Sequence, residues 1–381
     1  MIITTSFVRN VARWRISWDV ARKRWVRKLC VNRVLLPRLR VTRSIYTVCV
    51  RSVLQNRITI AMNKKLYSAV GVGIFIVVAG FVWITAVRPH AESQKMRVVT
   101  SFYPLYFFAS EIGGDKAEVM NVTPAGAEPH DYEPTSQDII AIQDSDLFVF
   151  NGVGFEAWVG RILQDTALQG TIVEAADGLA TLEGDEHEHE HEEDEHVEAV
   201  QGEDDHIMDP HVWLSPVLAS RMADRIAQGF VAADPANASY YTANAESLKA
   251  RLSELDAQYQ TGLARCAKKD FVTSHAAFGY LAAAYKINQV PISGLSPKEE
   301  PSVRQLATIA TFAREHGVQH IFFEELVSPK LAQTVATEIG AQTLVLNPIE
   351  GLAAEDLKAG KNYLTEMSEN LAHLRIALQC E

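Results

Sequence analysis

Short runs rich in β-branched and aromatic residues alternate with amphipathic stretches, in two blocks on either side of residue 234. In the first block MRVVTSF (96–102), AEVMNVT (117–123), LFVFNG (147–152) and TIVEA (171–175) read as strands. PLYFFASEIGG, SQDIIAIQDSD with Ser136 as candidate N-cap, and FEAWVGRILQDT read as the helices between them. In the second block DFVTSH (270–275), INQVPI (287–292), QHIFFEE (319–325) and TLVLNP (343–348) are the strands. AAFGYLAAAY, residues 302–317, SPKLAQTVATEIG and a tail over 355–378 are its helices. Strands joined through helices pair in parallel, with the helices on the sheet faces. The expected fold class is therefore α/β, two lobes with mostly parallel sheets. Between them Asp234-Pro235 opens a longer helix, with Tyr240, Leu248, Leu252, Leu255, Tyr259 and Leu263 on one apolar stripe. Roughly 30 residues of helix make a rod of about 45 Å, a stiff connection between the lobes.

Charge is divided unevenly along the chain. Residues 1–61 hold 14 Lys and Arg against one acid, Asp19, so a total of −11 leaves −24 for the remainder. An acidic remainder suits a binder of cations and argues against nucleic acid. Residues 66–87 are 22 positions without a charge, preceded by Lys64 and Lys65. That length spans a hydrocarbon core, and the lysines place residues 88–381 outside the cytoplasm. Met62-Asn63-Lys64-Lys65 before an apolar run also resembles the start of a signal peptide, which makes residues 1–61 a candidate gene-model artefact. The alternative is a basic cytoplasmic arm on anionic lipid or nucleic acid. No cysteine follows the apolar run closely, which argues against lipoprotein processing. Pro89 spoils the cleavage site at Ala91, which favours an uncleaved anchor. The organisation expected is a basic extension over 1–61, an anchor or signal helix with tether over 62–95, and a first α/β lobe over 96–233. A linking helix over 234–265 and a second α/β lobe over 266–381 follow. Cys266 and Cys380 are candidates for a disulfide in an oxidising compartment, or else two free thiols.

The first lobe contains an acidic loop at 183–208, in which His187, His189, His191, His196 and His206 sit among carboxylates. A low-complexity anionic tract cannot bury a core and should be a flexible, solvated loop. Alternating His and Glu points further, to weak and labile metal capture by neutral imidazole. A better-defined site must then lie elsewhere. His130 stands in the loop after the second strand, His211 follows the acidic loop, His275 closes DFVTSH and Glu350 follows TLVLNP. Ligands of open α/β sheets gather beyond the carboxyl ends of the strands, so these loops can meet in one cleft. Three imidazoles and one carboxylate make a closed tetrahedral zinc site. Asp209, Glu300 and Glu324 are candidates to hold the second ring nitrogen of a ligand histidine, or else are caps and surface charges. His90, His316, His320 and His373 lack such a setting.

GAEPHDYEP, DPHVWLSP, VTSHAAFGYL, IFFEELVSPK and LNPIEGL resemble the motifs of the metal-binding solute-binding proteins of ABC uptake transporters, in their zinc branch. The resemblance runs from about Met96 to Cys380. It implies two α/β lobes joined by a long helix, metal in the cleft, and a monomer that delivers Zn2+ to a membrane permease with its ATPase. Carried over one by one, it puts the ligands on His130, His211, His275 and Glu350. Manganese- and iron-binding relatives tend to carry a carboxylate at the third position, so His275 favours zinc. A third reading is an adhesin-like surface protein, as some relatives are described. The basic extension before Met62 and the missing lipoprotein cysteine depart from the family pattern. The rival from another class is an exported zinc hydrolase with Glu350 as general base, but no HExxH or comparable motif is present.

Overall fold

The computed structural model describes residues 95–183 and 208–381. The basic extension, the apolar segment 66–87 and the five histidines of the acidic loop lie outside the described residues. Among the described residues no helix is long and apolar enough to cross a membrane.

Strands β1 (Met96–Thr100), β2 (Ala117–Asn121), β3 (Leu147–Phe150) and β4 (Thr171–Glu174) form one parallel sheet in the order β2-β1-β3-β4. Strands β5 (Asp270–Thr273), β6 (Asn288–Pro291), β7 (His320–Phe323) and β8 (Gln342–Val345) form a second in the order β6-β5-β7-β8. Both sheets have the same winding. It reverses between β1 and β3, and between β5 and β7, which opens a crevice at the carboxyl ends of those strands.

Helices α1 (Tyr103–Gly113), α2 (Ser136–Gln143), α3 (Val159–Asp165) and α4 (Pro216–Ala233) belong to the first lobe. The long helix α5 (Ala238–Gly262) follows. Helices α6 (Gly279–Tyr285), α7 (Val303–Glu315), α8 (Lys330–Ile339), α9 (Ala354–Lys358) and α10 (Tyr363–Ala377) complete the second lobe. The central strands of each sheet are largely buried on both faces, the condition that favours parallel strands. One face of the first sheet packs Val99, Phe148 and Phe150 on Ile142, Trp158 and Ile162. The matching face of the second packs Val272 and Ile321 on Ala313, Val335 and Ala336. The remaining apolar groups join a continuous core that runs through both lobes along α5.

Several local expectations change. Thr135, not Ser136, caps α2: its hydroxyl accepts from the Asp138 N–H, and the Asp138 carboxylate accepts in return from the Thr135 N–H at 2.8 Å. The signal was the T-x-x-D spacing, since the cap needs an acid three residues on. Helix α5 begins at Ala238, after a tight turn over Pro235–Asn237. Its 25 residues make about 37 Å rather than about 45 Å. Tyr241 instead of Tyr240 starts the buried stripe, which continues through Ala245, Leu248, Leu252, Leu255 and Tyr259 at alternating steps of four and three. The tail is not one helix but two, broken at Gly360, whose φ of +85° no helix can hold.

The long helix is fixed at both ends. Asn244 Nδ2 donates to the Ile112 carbonyl of α1 at 2.9 Å, and the Tyr259 hydroxyl donates to the Met367 carbonyl of α10 at 2.6 Å. Just beyond α5, Cys266 is disulfide-bonded to Cys380 across a separation of 114 residues. Backbone bonds from Ala267 N–H to Gln379 and from Lys268 N–H to Leu378 flank it.

Candidate metal centre

Four side chains from four separate loops meet between the two sheets. His130 lies in a tight turn after β2, His211 at the start of a turn before α4, His275 two residues beyond β5 and Glu350 five beyond β8. Glu350 Oε1 is 3.4 Å from His130 Nε2, 3.3 Å from His211 Nε2 and 3.3 Å from His275 Nε2. His211 Nε2 lies 3.4 Å from His130 Nε2, and all four donor atoms fall within 4.8 Å of one another. Zinc bonds of about 2.0–2.1 Å in a tetrahedron require donor separations of about 3.3–3.4 Å, which the three Glu350 separations and the His130–His211 separation match.

The imidazoles are held in the tautomer a metal needs. His211 Nδ1 donates to Asp209 Oδ1 at 2.7 Å, and His275 Nδ1 donates to Glu324 Oε1 at 2.7 Å. A proton kept on Nδ1 by a carboxylate leaves the Nε2 lone pair pointing into the centre. His275 Nε2 is fully buried and makes no well-formed hydrogen bond beyond the 3.3 Å approach of Glu350 Oε1, an uncommon state for a buried nitrogen and one that an ion in the centre relieves. The His275 backbone is fixed as well, since Thr273 Oγ1 and Gln289 Nε2 both donate to its carbonyl at 2.8 Å. Glu350 follows Ile349, whose φ of +59° is costly for a β-branched residue. Ile349 N–H donates to Asn347 Oδ1 at 2.7 Å, and Asn347 is locked to Asn370 of α10 by two further bonds. Trp213 Nε1 donates to the Pro348 carbonyl at 2.8 Å, which ties the His211 segment to the Glu350 segment.

The electrostatics follow from burial and pairing. Burial pushes the pKa of His211 and of His275 down, but Asp209 and Glu324 respectively, with Glu350, outweigh it and raise both. Burial pushes Glu350 up, yet the three histidines hold it well below the ordinary carboxylate range. His211 and His275 are wholly buried, whereas the His130 side chain keeps 10% exposure and marks the side open to an incoming ion.

Asp209 and Glu324 thus stand against the rings of the candidate ligands His211 and His275, and Glu300 does not. Glu300 is exposed in the loop between β6 and α7, carried outward by a turn in which Ser296 N–H bonds Glu299. Nearness to a histidine motif says nothing about which way a loop acid points. The acid that does reach the centre is Glu128. It accepts from the His130 N–H at 3.2 Å, and burial followed by the Glu350 charge pushes its pKa up to about 8. Its signal was legible, since Glu128-Pro129-His130 repeats the acid-Pro-His order of Asp209-Pro210-His211. The shorter Asp209 reaches both its histidine's N–H and ring, while Glu128 runs on to Glu350. Gly279 was also missed. A Cβ there would stand 2.8 Å from Asp209 Oδ2. Gly279→Ala is expected to push Asp209 off His211 and weaken zinc binding about 10-fold, the low end for a lost outer partner; calorimetric titration with zinc checks it.

A two-lobed α/β protein with a buried His3Glu cluster between its sheets is a metal-binding protein of the solute-capturing kind. Residues 98–377 match the family described as zinc-uptake complex component A, periplasmic, and the chain belongs to that family. It is 45% identical over 315 residues to the high-affinity zinc uptake system protein ZnuA of Bacillus subtilis (strain 168), across 80% of this chain and 97% of that one. It is 39% identical over 302 residues to the zinc-binding protein AdcA of Streptococcus pyogenes serotype M3, covering 78% of this chain but only 59% of AdcA. The crystal structure of the Zn(II)-bound ZnuA-like domain of Streptococcus pneumoniae AdcA superposes with a TM-score of 0.62 at 37% identity, over 74% of this chain and 99% of that domain. The laminin-binding protein Lmb of Streptococcus agalactiae superposes with a TM-score of 0.64 at 36% identity, over 75% of this chain and all of that one.

Proposed function

We propose that this protein captures zinc outside the cytoplasm and hands it to the permease of an ABC importer, with His130, His211, His275 and Glu350 as the ligands. The observation that carries the reading is the convergence of four donor atoms within 4.8 Å of one another, with Glu350 Oε1 at 3.3–3.4 Å from all three Nε2 atoms, close to the edge of a zinc tetrahedron. Zinc is cargo, and no bond in a substrate is broken. Three imidazoles favour zinc over the harder, oxygen-seeking cations. Asp209 and Glu324 keep the rings aimed and help balance the charge of the ion. The lobes share a core along α5, so release proceeds through small shifts of the ligand loops instead of wide hinge opening. The apolar segment 66–87 serves as membrane anchor or export signal, the acidic loop as an auxiliary collector of zinc, and the binding unit is a monomer.

The test follows from proton competition. His211 and His275 are raised above the ordinary histidine value of about 6.5, and each must lose its Nε2 proton before it can bind zinc. Affinity is therefore expected to fall as pH is lowered, beginning above that value. With two protons displaced, the steepest slope is about 100-fold per pH unit. Zinc titrations between about pH 5 and 8, with proton release measured in buffers of different ionisation enthalpy, check this. A flat affinity over that range overturns the assignment.

A further inference from the structure

Two of the three histidines have a carboxylate on Nδ1, and His130 does not. Among the described residues its ring meets the other ligands and the ring of Phe155, at a centroid distance of 4.7 Å. Phe155 is buried and also packs against Phe102 at 4.6 Å and Trp213 at 5.2 Å. It ends the loop Asn151-Gly152-Val153-Gly154, three members of which have positive φ: 87° at Gly152, 56° at Val153 and 76° at Gly154. The value at Val153 is unfavourable for a β-branched residue and persists only when its surroundings impose it.

The residue that imposes it is Glu156. This buried carboxylate accepts from the Ser101 hydroxyl at 2.5 Å and the Asn151 N–H at 2.7 Å through Oε1, and from the Gly152 N–H at 3.1 Å through Oε2. It thereby ties the loop after β3 to the end of β1, where the first sheet reverses its winding. The same loop reaches the second ligand of this lobe: Asn151 Nδ2 donates to the Pro210 carbonyl, next to His211, at 3.0 Å.

We propose that Glu156 is a positioning residue for zinc. By folding the 151–155 loop it sets Phe155 against the His130 ring, and so does through packing what Asp209 and Glu324 do for the other two histidines through hydrogen bonds. The inference rests on the zinc-site reading above and adds to it a residue that touches no ligand. It explains why a buried acid, with no cation against it among the described residues, is kept inside the first lobe.

The test uses the full chain, with zinc and cobalt(II) as probes. In Glu156→Gln one oxygen is kept and the amide N–H2 faces the Gly152 N–H, donor against donor. Zinc affinity is expected to fall about 10-fold, as for a lost outer partner. The visible absorption of bound cobalt is expected to lose intensity as tetrahedral geometry relaxes. Phe155→Leu, which keeps the apolar volume but removes the aromatic edge, should reproduce both effects. The double variant should be no worse than the poorer single one, because one residue acts through the other. A Glu156→Gln protein that loses thermal stability but keeps wild-type zinc affinity and an unchanged cobalt spectrum overturns the proposal, as do additive effects. If Glu156→Gln fails to fold, an unchanged cobalt spectrum in Phe155→Leu overturns it alone. His275→Ala separates the two readings. Tight zinc binding in that variant removes the site itself, whereas lost binding there beside a normal Glu156→Gln protein removes only the role of Glu156.

Discussion

Replacing His275 with alanine is expected to weaken zinc binding by more than about 100-fold, beyond the usual cost of an outer partner. The side chain is fully buried, its Nε2 faces only the other site groups, and its Nδ1–H donates to Glu324, itself 3% exposed. Its removal takes a donor from the ion and leaves a desolvated carboxylate unpaired beside Glu350. His211→Ala, which strands Asp209 in the same way, is expected to match it. His130→Ala should cost less, since that ring borders solvent and a water can enter the vacated position. Competition with a chromogenic zinc chelator measures all three. Thermal unfolding gives an independent reading. Free zinc at about 1,000 times Kd stabilises the native protein by about 4 kcal/mol, and this increment should vanish in His275→Ala while its zinc-free transition persists. Tight binding retained by both His275→Ala and His211→Ala would remove the site.

Cutting the disulfide is the other large effect. The bond between Cys266 and Cys380 closes nearly the whole second lobe, a loop with a separation of 114 residues. Chain entropy assigns a cross-link of that length up to about 4.7 kcal/mol, and typical measured values are about 2–4 kcal/mol. Paired Cys266→Ser and Cys380→Ser substitutions are therefore expected to lower stability by about 2–4 kcal/mol in denaturant titrations without zinc. The flanking backbone bonds at Ala267, Lys268 and Glu381 should preserve the local fold. Neither cysteine contacts a ligand, so zinc affinity should stay within about threefold of the original, as expected for independent sites. An unchanged denaturation midpoint would show that those bonds alone hold the terminus.

What could be read without coordinates was governed by local rules. Strand and helix periods repeat every two and 3.6 residues, so the α/β alternation shows in hydropathy alone. The stretches 302–317 and SPKLAQTVATEIG carry α7 and α8, and Gly340, left-handed at φ 73°, ends the second. The four candidate ligands stood at strand ends or in the loops beyond them, on the side where open sheets place their ligands. Misplaced features had competing local signals. Thr135 and Ser136 are both good caps, and only the position of Asp138 decides between them. Tyr240 and Tyr241 are chemically alike, and only the true start of α5 turns one of them inward.

The sequence by itself determined the fold class, the helix and strand order, and a short list of imidazoles and acids rich enough to hold zinc. Only the tertiary structure decided which acid serves which histidine. Glu300 and Glu128 each stand within or beside a loop of the right composition, yet one faces solvent and the other Glu350. Direction is set by long-range contacts: Ser101 on Glu156, Phe155 on His130, and Trp213 on the Pro348 carbonyl. These partners lie between 25 and 135 residues apart, where no periodic pattern links them. A few ångströms of separation, and not residue type, then decide whether a group binds an ion or water.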